Sequence, residues 1–171
     1  MPADKSPTIS RRQWLTALPF AVAGTALLAG TTPGLASAPV AVPVWPVLQS
    51  LQGKVVLVDF WASWCAPCRR SFPWMNEIQQ RHAARGLVVL AVNVDRERSL
   101  ADEFLREVPV AFRLEYDPSG ALAEQFHVQA MPTSFLIDRR GALRVRHAGF
   151  RDAQRADREL QIQQLLEESA T

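Results

Sequence analysis

Lys54-Val55-Val56-Leu57-Val58-Asp59-Phe60-Trp61-Ala62-Ser63-Trp64-Cys65-Ala66-Pro67-Cys68 carries an apolar run, broken by one acid, into the only two cysteines of the chain. From Lys54 to Phe60 the apolar residues do not alternate with polar ones, the pattern of a strand buried on both faces. Beyond Cys68, residues 69–85 read as a helix with Phe72, Met75, Ile78 and Gln79 near one face. Pro73 predicts a kink, because it removes a helical N–H and clashes one turn back. The cysteines therefore fall where a buried strand hands over to a helix N-terminus.

That position has a chemical consequence. The first turn of a helix has unpaired N–H groups and the positive end of the dipole, which stabilise a thiolate. Cys65 is expected to ionise more readily than a free cysteine, whose pKa is about 8.5. A thiolate attacks a disulfide sulfur and forms a mixed disulfide, which a second cysteine resolves. Cys65 reads as the attacking residue and Cys68, three positions on and deeper, as the resolver.

Two other uses of such a pair fit less well. Structural zinc wants about four ligands, and His82, His127 and His147 are scattered singly along the chain. A purely structural disulfide across so short a loop would constrain little chain entropy. No metal site and no prosthetic group are expected.

Residues 58–68, Val-Asp-Phe-Trp-Ala-Ser-Trp-Cys-Ala-Pro-Cys, resemble the active-site segment of thioredoxin-fold proteins. Met131-Pro132-Thr133 and Ala148-Gly149 resemble that fold's two other active-site loops. The intervening length and Ser134-Phe135-Leu136-Ile137-Asp138 resemble the exported TlpA/ResA-like branch, over residues 46–168 or so. The resemblance implies an α/β fold, a central mixed sheet flanked by helices, with an inserted helix and strand. It implies that Asp59 is buried beneath the cysteine pair and relays protons to Cys68. It also implies a redox disulfide between Cys65 and Cys68, and a cis peptide before Pro132. Pro132 then lacks an N–H beside Cys65 and leaves the Met131 backbone free to pair with a substrate chain. Trp64, Ala66, Pro67, Met131, Pro132 and Gly149 form the expected docking surface. In cytosolic thioredoxins a lysine on the next strand pairs with the buried acid. Ala91 occupies that position here, so Asp59 is expected to lack that lysine and to have a pKa raised further still. Ser71 stands where TlpA-like proteins often carry an acid. Arg69 and Arg70 either favour the thiolate or are solvated arginines on an exposed helix.

The N-terminus reads as a targeting segment. Ser10-Arg11-Arg12-Gln13-Trp14-Leu15 resembles the twin-arginine export motif; an uncharged apolar stretch follows, then small residues at Gly34, Ala36 and Ala38. Residues 1–38 are expected to be a signal peptide cut after Ala36 or Ala38, or a retained anchor. Trp14 to Thr32 is 19 uncharged residues, near the roughly 20 that span a bilayer. Residues 39–45 are a proline-rich linker, and residues 46–171 the thioredoxin-like domain. Without residues 1–38 the chain has 16 basic and 16 acidic side chains (19 − 3 and 17 − 1), so no basic stripe is left for nucleic acid. The periplasm is the expected compartment, for a monomer that is soluble or anchored to the inner membrane.

Further along, Val47 to Gln52 suggest one or two helical turns and Leu87 to Val94 a second buried strand. Ser99 to Val108 suggest a helix with Ser99 as N-cap, followed by a strand at Phe112 to Tyr116. Asp117-Pro118-Ser119-Gly120 is a turn and Ala121 to Phe126 a short helix. His127 is placed as a helix-ending residue with positive φ. Thr133 to Asp138 and Leu143 to Ala148 form a hairpin. Asp152 to Glu168 close the chain as a helix, with Ala153, Ala156, Leu160 and Leu165 on its apolar face. The expected function is thiol–disulfide exchange on cysteine-containing exported proteins, with electrons from a membrane dithiol protein. The resemblance favours a reductase in cytochrome c maturation or oxidase copper-site assembly. A periplasmic disulfide oxidant or isomerase, or a copper chaperone, is the alternative. A peroxiredoxin-type peroxidase would need a lone cysteine in another loop, and the chain has none.

Overall fold

The computed structural model describes residues 42–169. The expectations for the leader, its cleavage and its anchoring lie outside the described residues. Among the described residues no helix is long and apolar enough to cross a membrane.

The first element of the described residues is a short helix, α1 (Pro46–Gln49), which leads into β1 (Val55–Trp61). Next come α2 (Ala66–His82), β2 (Leu87–Asn93), α3 (Arg98–Glu107) and β3 (Arg113–Tyr116). The last elements are α4 (Ala121–Gln125), β4 (Thr133–Ile137), β5 (Leu143–Ala148) and α5 (Arg155–Glu167). The five strands form one sheet in the order β3-β2-β1-β4-β5. β1, β2 and β3 run parallel, joined by helical crossovers, whereas β4 and β5 run antiparallel to their neighbours. This is the thioredoxin fold, with α3 and β3 as the inserted helix and strand.

β1 is central and every residue in it is buried, which explains an apolar run interrupted only by Asp59. Successive side chains alternate between the two faces. Val55, Leu57 and Trp61 pack with Phe72, Met75 and Ile78 of α2, Phe104 of α3 and Ile162 of α5. Val56, Val58 and Phe60 pack on the other face with Phe126 and Phe135. By the same alternation Asp59 lies on the α2 and α5 side. Its neighbours in register are Ala91 on β2 and Ser134 on β4, and Ser134 in turn pairs with His147 on β5.

Three local expectations need correction. Ser99 is not the N-cap of α3: the helix starts at Arg98 after Glu97, whose extended backbone carries no side-chain cap bond. The closing segment begins with a 3-10 turn, Asp152–Gln154, before α5. The buried face of α5 is Arg158, Ile162, Leu165 and Leu166. Ala153 and Ala156 are exposed, and Leu160 is 54% exposed. A buried arginine in the stripe disguised its true phase. α2 runs through Pro73 as one helix. His127 has φ 51° and is exposed.

Candidate active site

Three loops meet at one end of the sheet. Thr133 pairs with Phe60, and Ala148 pairs with Thr133. Pro132 and Gly149 therefore lie beside the end of β1, where the cysteine loop departs. The Met131–Pro132 peptide is cis. The Gly149 N–H donates to the Pro132 carbonyl at 2.7 Å, which ties the second loop to the third. Gly149 has φ +73° and open space where a Cβ would stand. Backbone conformation, not close approach by protein atoms, is what asks for glycine there.

Cys65 is the N-cap of α2, with extended backbone (φ −86°, ψ 99°). Its Sγ accepts the Cys68 N–H at 3.2 Å. Pro67 sits in the first turn, where a missing N–H costs nothing because no intrahelical acceptor exists for it. Cys65 and Cys68 form a disulfide with Cα atoms 5.3 Å apart. Both are buried, Cys65 with 3% of its surface exposed and Cys68 fully enclosed. Trp64 beside them is 72% exposed; Ala66 is exposed, while Pro67 and Met131 are half-buried.

The approach to Cys65 is held from below by Asp95, a residue the sequence marks only as the end of a strand. Its carboxylate accepts from the Ser63 N–H at 2.8 Å, the Ser63 hydroxyl at 3.0 Å and the Asn93 amide at 2.7 Å. The Val94 N–H donates to the Trp61 carbonyl at 3.0 Å. These contacts span 32 residues of chain, and no local pattern announces them.

Arg69 is drawn away from the cysteines. Its guanidinium meets Glu107 of α3 at 2.7 Å and lies 4.7 Å from the centre of the Phe104 ring. Arg70 is exposed. The solvated-arginine reading suits both residues better than a role beside the sulfur. Ser71 is buried, and its hydroxyl donates to the Cys68 carbonyl at 3.0 Å.

Asp59 is buried, and its Oδ2 has no hydrogen-bond partner. Burial pushes its carboxyl up to about 8, and the Arg158 guanidinium pulls the other way. The lysine of cytosolic thioredoxins is absent and the carboxyl is raised, as expected, but a cation does act on it. Ala91 does stand beside Asp59 on β2, but the cation comes from α5. Arg158 is only 5% exposed. It donates to the Gly149 carbonyl at 2.7 Å and reaches the Ser134 hydroxyl at 3.4 Å. Sequence reading missed it because an arginine on a charged terminal helix looks solvated; its spacing of four from Ile162 was the available signal. The His147 Nε2–H donates to the Gln161 Oε1 at 2.8 Å. Burial, and then Arg158, hold its imidazole below the usual range against that bond.

The arrangement can present one sulfur at a helix N-terminus, keep a second enclosed behind it, and hold a neutral carboxyl in the sheet below. Among the described residues no three His, Cys, Asp or Glu side chains converge as a metal set.

A family model described as Redoxin matches residues 43–161. Among curated proteins, the thiol-disulfide oxidoreductase ResA of Oceanobacillus iheyensis is 30% identical over 96 residues, covering 56% of this chain and 50% of that protein. ResA of Geobacillus kaustophilus is 33% identical over 97 residues, covering 57% and 56%. The chain thus spans about half the length of the curated relatives it matches. Among solved structures, a Chlorobium tepidum protein with the provisional name thiol:disulfide interchange protein DsbE is 48% identical. It has TM-score 0.69 and covers 70% of this chain and 84% of that one. A thiol:disulfide interchange protein of the thioredoxin family from Chlorobium tepidum TLS is 27% identical with TM-score 0.61, covering 69% and 83%.

Proposed function

From a chain that belongs to the Redoxin family, we infer a thiol–disulfide oxidoreductase that acts on other proteins. The observation that carries this is the inequality of the two cysteines. One caps a helix with an N–H on its sulfur, and the other is fully enclosed on the side of the sheet where the fold buries a carboxyl raised to about 8.

In the reducing direction the Cys65 thiolate attacks one sulfur of a substrate disulfide. That S–S bond breaks, the leaving sulfur takes up a proton, and Cys65 is joined to the substrate. Asp59, as carboxylate, accepts the proton of the Cys68 thiol. The Cys68 thiolate then attacks the Cys65 sulfur and expels the second substrate thiolate. Two electrons have passed to the substrate, and the chain is left with the Cys65–Cys68 disulfide. A dithiol on another protein returns it to the reduced form by the reverse steps. Trp64, Ala66, Pro67, Met131, Pro132 and Gly149 provide the docking rim, with the Met131 backbone pairing to an extended substrate segment.

The likeness to ResA proteins and the leader-like residues 1–38 support a reductase of exported proteins, serving cytochrome c maturation or oxidase assembly in the periplasm. The test is the reduction potential of the purified protein with insulin reduction as the activity. A potential near thioredoxin's roughly −270 mV supports the reductase; one near the roughly −120 mV of a strong oxidant overturns the direction. Failure of the wild type to exchange with any protein disulfide overturns the activity itself.

A further inference from the structure

The sheet face under α2 and α5 carries a polar row. Asp59, Ser134 and His147 stand in register on β1, β4 and β5, while β2 contributes only Ala91. Everything else on that face of β1 is apolar. An isolated buried acid is costly unless it is neutral or faces a cation. α5 brings one cation to this row. Arg158 takes a place in the helix's buried stripe, and its guanidinium reaches β4, the loop after β5 and Gln154 just before its own helix. One nitrogen donates to the Gly149 carbonyl, and the other reaches Ser134. The side chain also lies 5.3 Å from the centre of the Phe150 ring, while its Nε is buried with no hydrogen-bond partner. Both the acid and the cation thus keep a buried polar atom without a hydrogen bond, Asp59 Oδ2 and Arg158 Nε. Charge, not a closed ion-pair geometry, couples them.

We propose that Arg158 is the positioning residue of this site: from the closing helix it supplies the cation that sets when Asp59 ionises, and it anchors through Gly149 the loop that carries Pro132. The proposal rests on the reading of Asp59 as the proton acceptor for Cys68 only for its catalytic consequence. The charge that acts on Asp59 is Arg158 from α5; His147 on β5 stands one strand further on, across Ser134, and the cysteine pair lies at the start of α2. β4 presents Ser134 and β2 presents Ala91, neither of them charged. Removing the cation leaves the carboxyl facing apolar side chains, a hydroxyl and an imidazole that Arg158 itself discourages from charging.

The test follows the Asp59 carboxyl carbon by NMR titration in the reduced full chain, so it reads the coupling whether or not any substrate turns over. An opposite charge nearby lowers a carboxyl's midpoint by about one to three pH units. Arg158→Met is therefore expected to raise the midpoint by about one pH unit or more. Arg158→Lys keeps a point charge but not the forked donors, and is expected to move it by less than half as much. The pH at which the mixed-disulfide resolution rate rises should shift with the midpoint in each variant. In the wild type, the Arg158 Nε resonance should titrate with the Asp59 midpoint, a reading that needs no variant to fold. An unmoved midpoint in Arg158→Met, an equal shift in Arg158→Lys, or an Arg158 signal blind to Asp59 overturns the proposal. If the midpoints shift as stated and insulin is still not reduced, the proposed activity fails and the coupling stands.

Discussion

Replacing Asp59 with asparagine removes the one carboxyl that the fold holds strongly against ionisation. In the unfolded chain its pKa is the ordinary 3.8, and in the folded protein burial raises it to about 8 against the pull of Arg158. Between those values the native state keeps a proton that the unfolded state has released. The native state binds more protons, so stability falls as pH rises across that window and is flat above it. The window is about four pH units wide and each unit carries about 1.4 kcal/mol, roughly 6 kcal/mol over the whole range. That is a large share of a typical domain's stability of about 5–15 kcal/mol. The assay is urea unfolding of the oxidised wild type and Asp59→Asn at pH 4, 5, 6, 7 and 8. The buried amide has its own pH-independent cost, so the slope is the observable. The variant should gain on the wild type by about 1.4 kcal/mol for each pH unit, and the gain should level off above about pH 8. A difference that does not change with pH, or a wild type that gains on the variant as pH rises, would refute the reasoning.

Asp95→Ala removes the acceptor of two Ser63 hydrogen bonds and one from Asn93. With buried donors left unpaired it should cost about 3 kcal/mol in urea unfolding and slow insulin reduction; a loss under about 0.5 kcal/mol would mean water replaces the carboxylate without penalty. Gly149→Ala meets open space but must hold φ +73°. The backbone alone should cost about 1–2 kcal/mol, measured as a lower unfolding midpoint, and an unchanged midpoint would contradict the backbone argument.

The core of the fold was legible where local pattern and tertiary role agree. β1 is apolar but for Asp59 because helices cover both its faces, and the cysteine pair lies at a strand-to-helix handover visible in fifteen consecutive residues. The β4–β5 hairpin was equally plain, since alternation along β5 survives even with its charged outer positions. Arg158 and Asp95 were hidden for opposite reasons. Arg158 breaks the apolar stripe of α5 with a charge, so the stripe was placed on Ala153, Ala156 and Leu160, which face water, with Leu165 alone correctly assigned to the buried face. Asp95 looks like any acid after a strand, and only folding brings Ser63 to it. The missing cation of Asp59 was sought on the neighbouring strand, where Ala91 does stand, while the charge arrives from a helix about a hundred residues later in the chain. Ser99 looked like a cap by residue type, but α3 begins one position earlier.

The sulfur that begins the reaction offers the most direct test. Reduce the protein, alkylate it with iodoacetamide from pH 5 to pH 10, and follow residues 65 and 68 separately by mass spectrometry. Capping of α2 by Cys65 predicts that this thiol reacts first, with a midpoint clearly below the roughly 8.5 of a free cysteine, while Cys68 lags behind it. A midpoint at or above about 8.5 for Cys65, or Cys68 reacting ahead of it, would contradict the assignment.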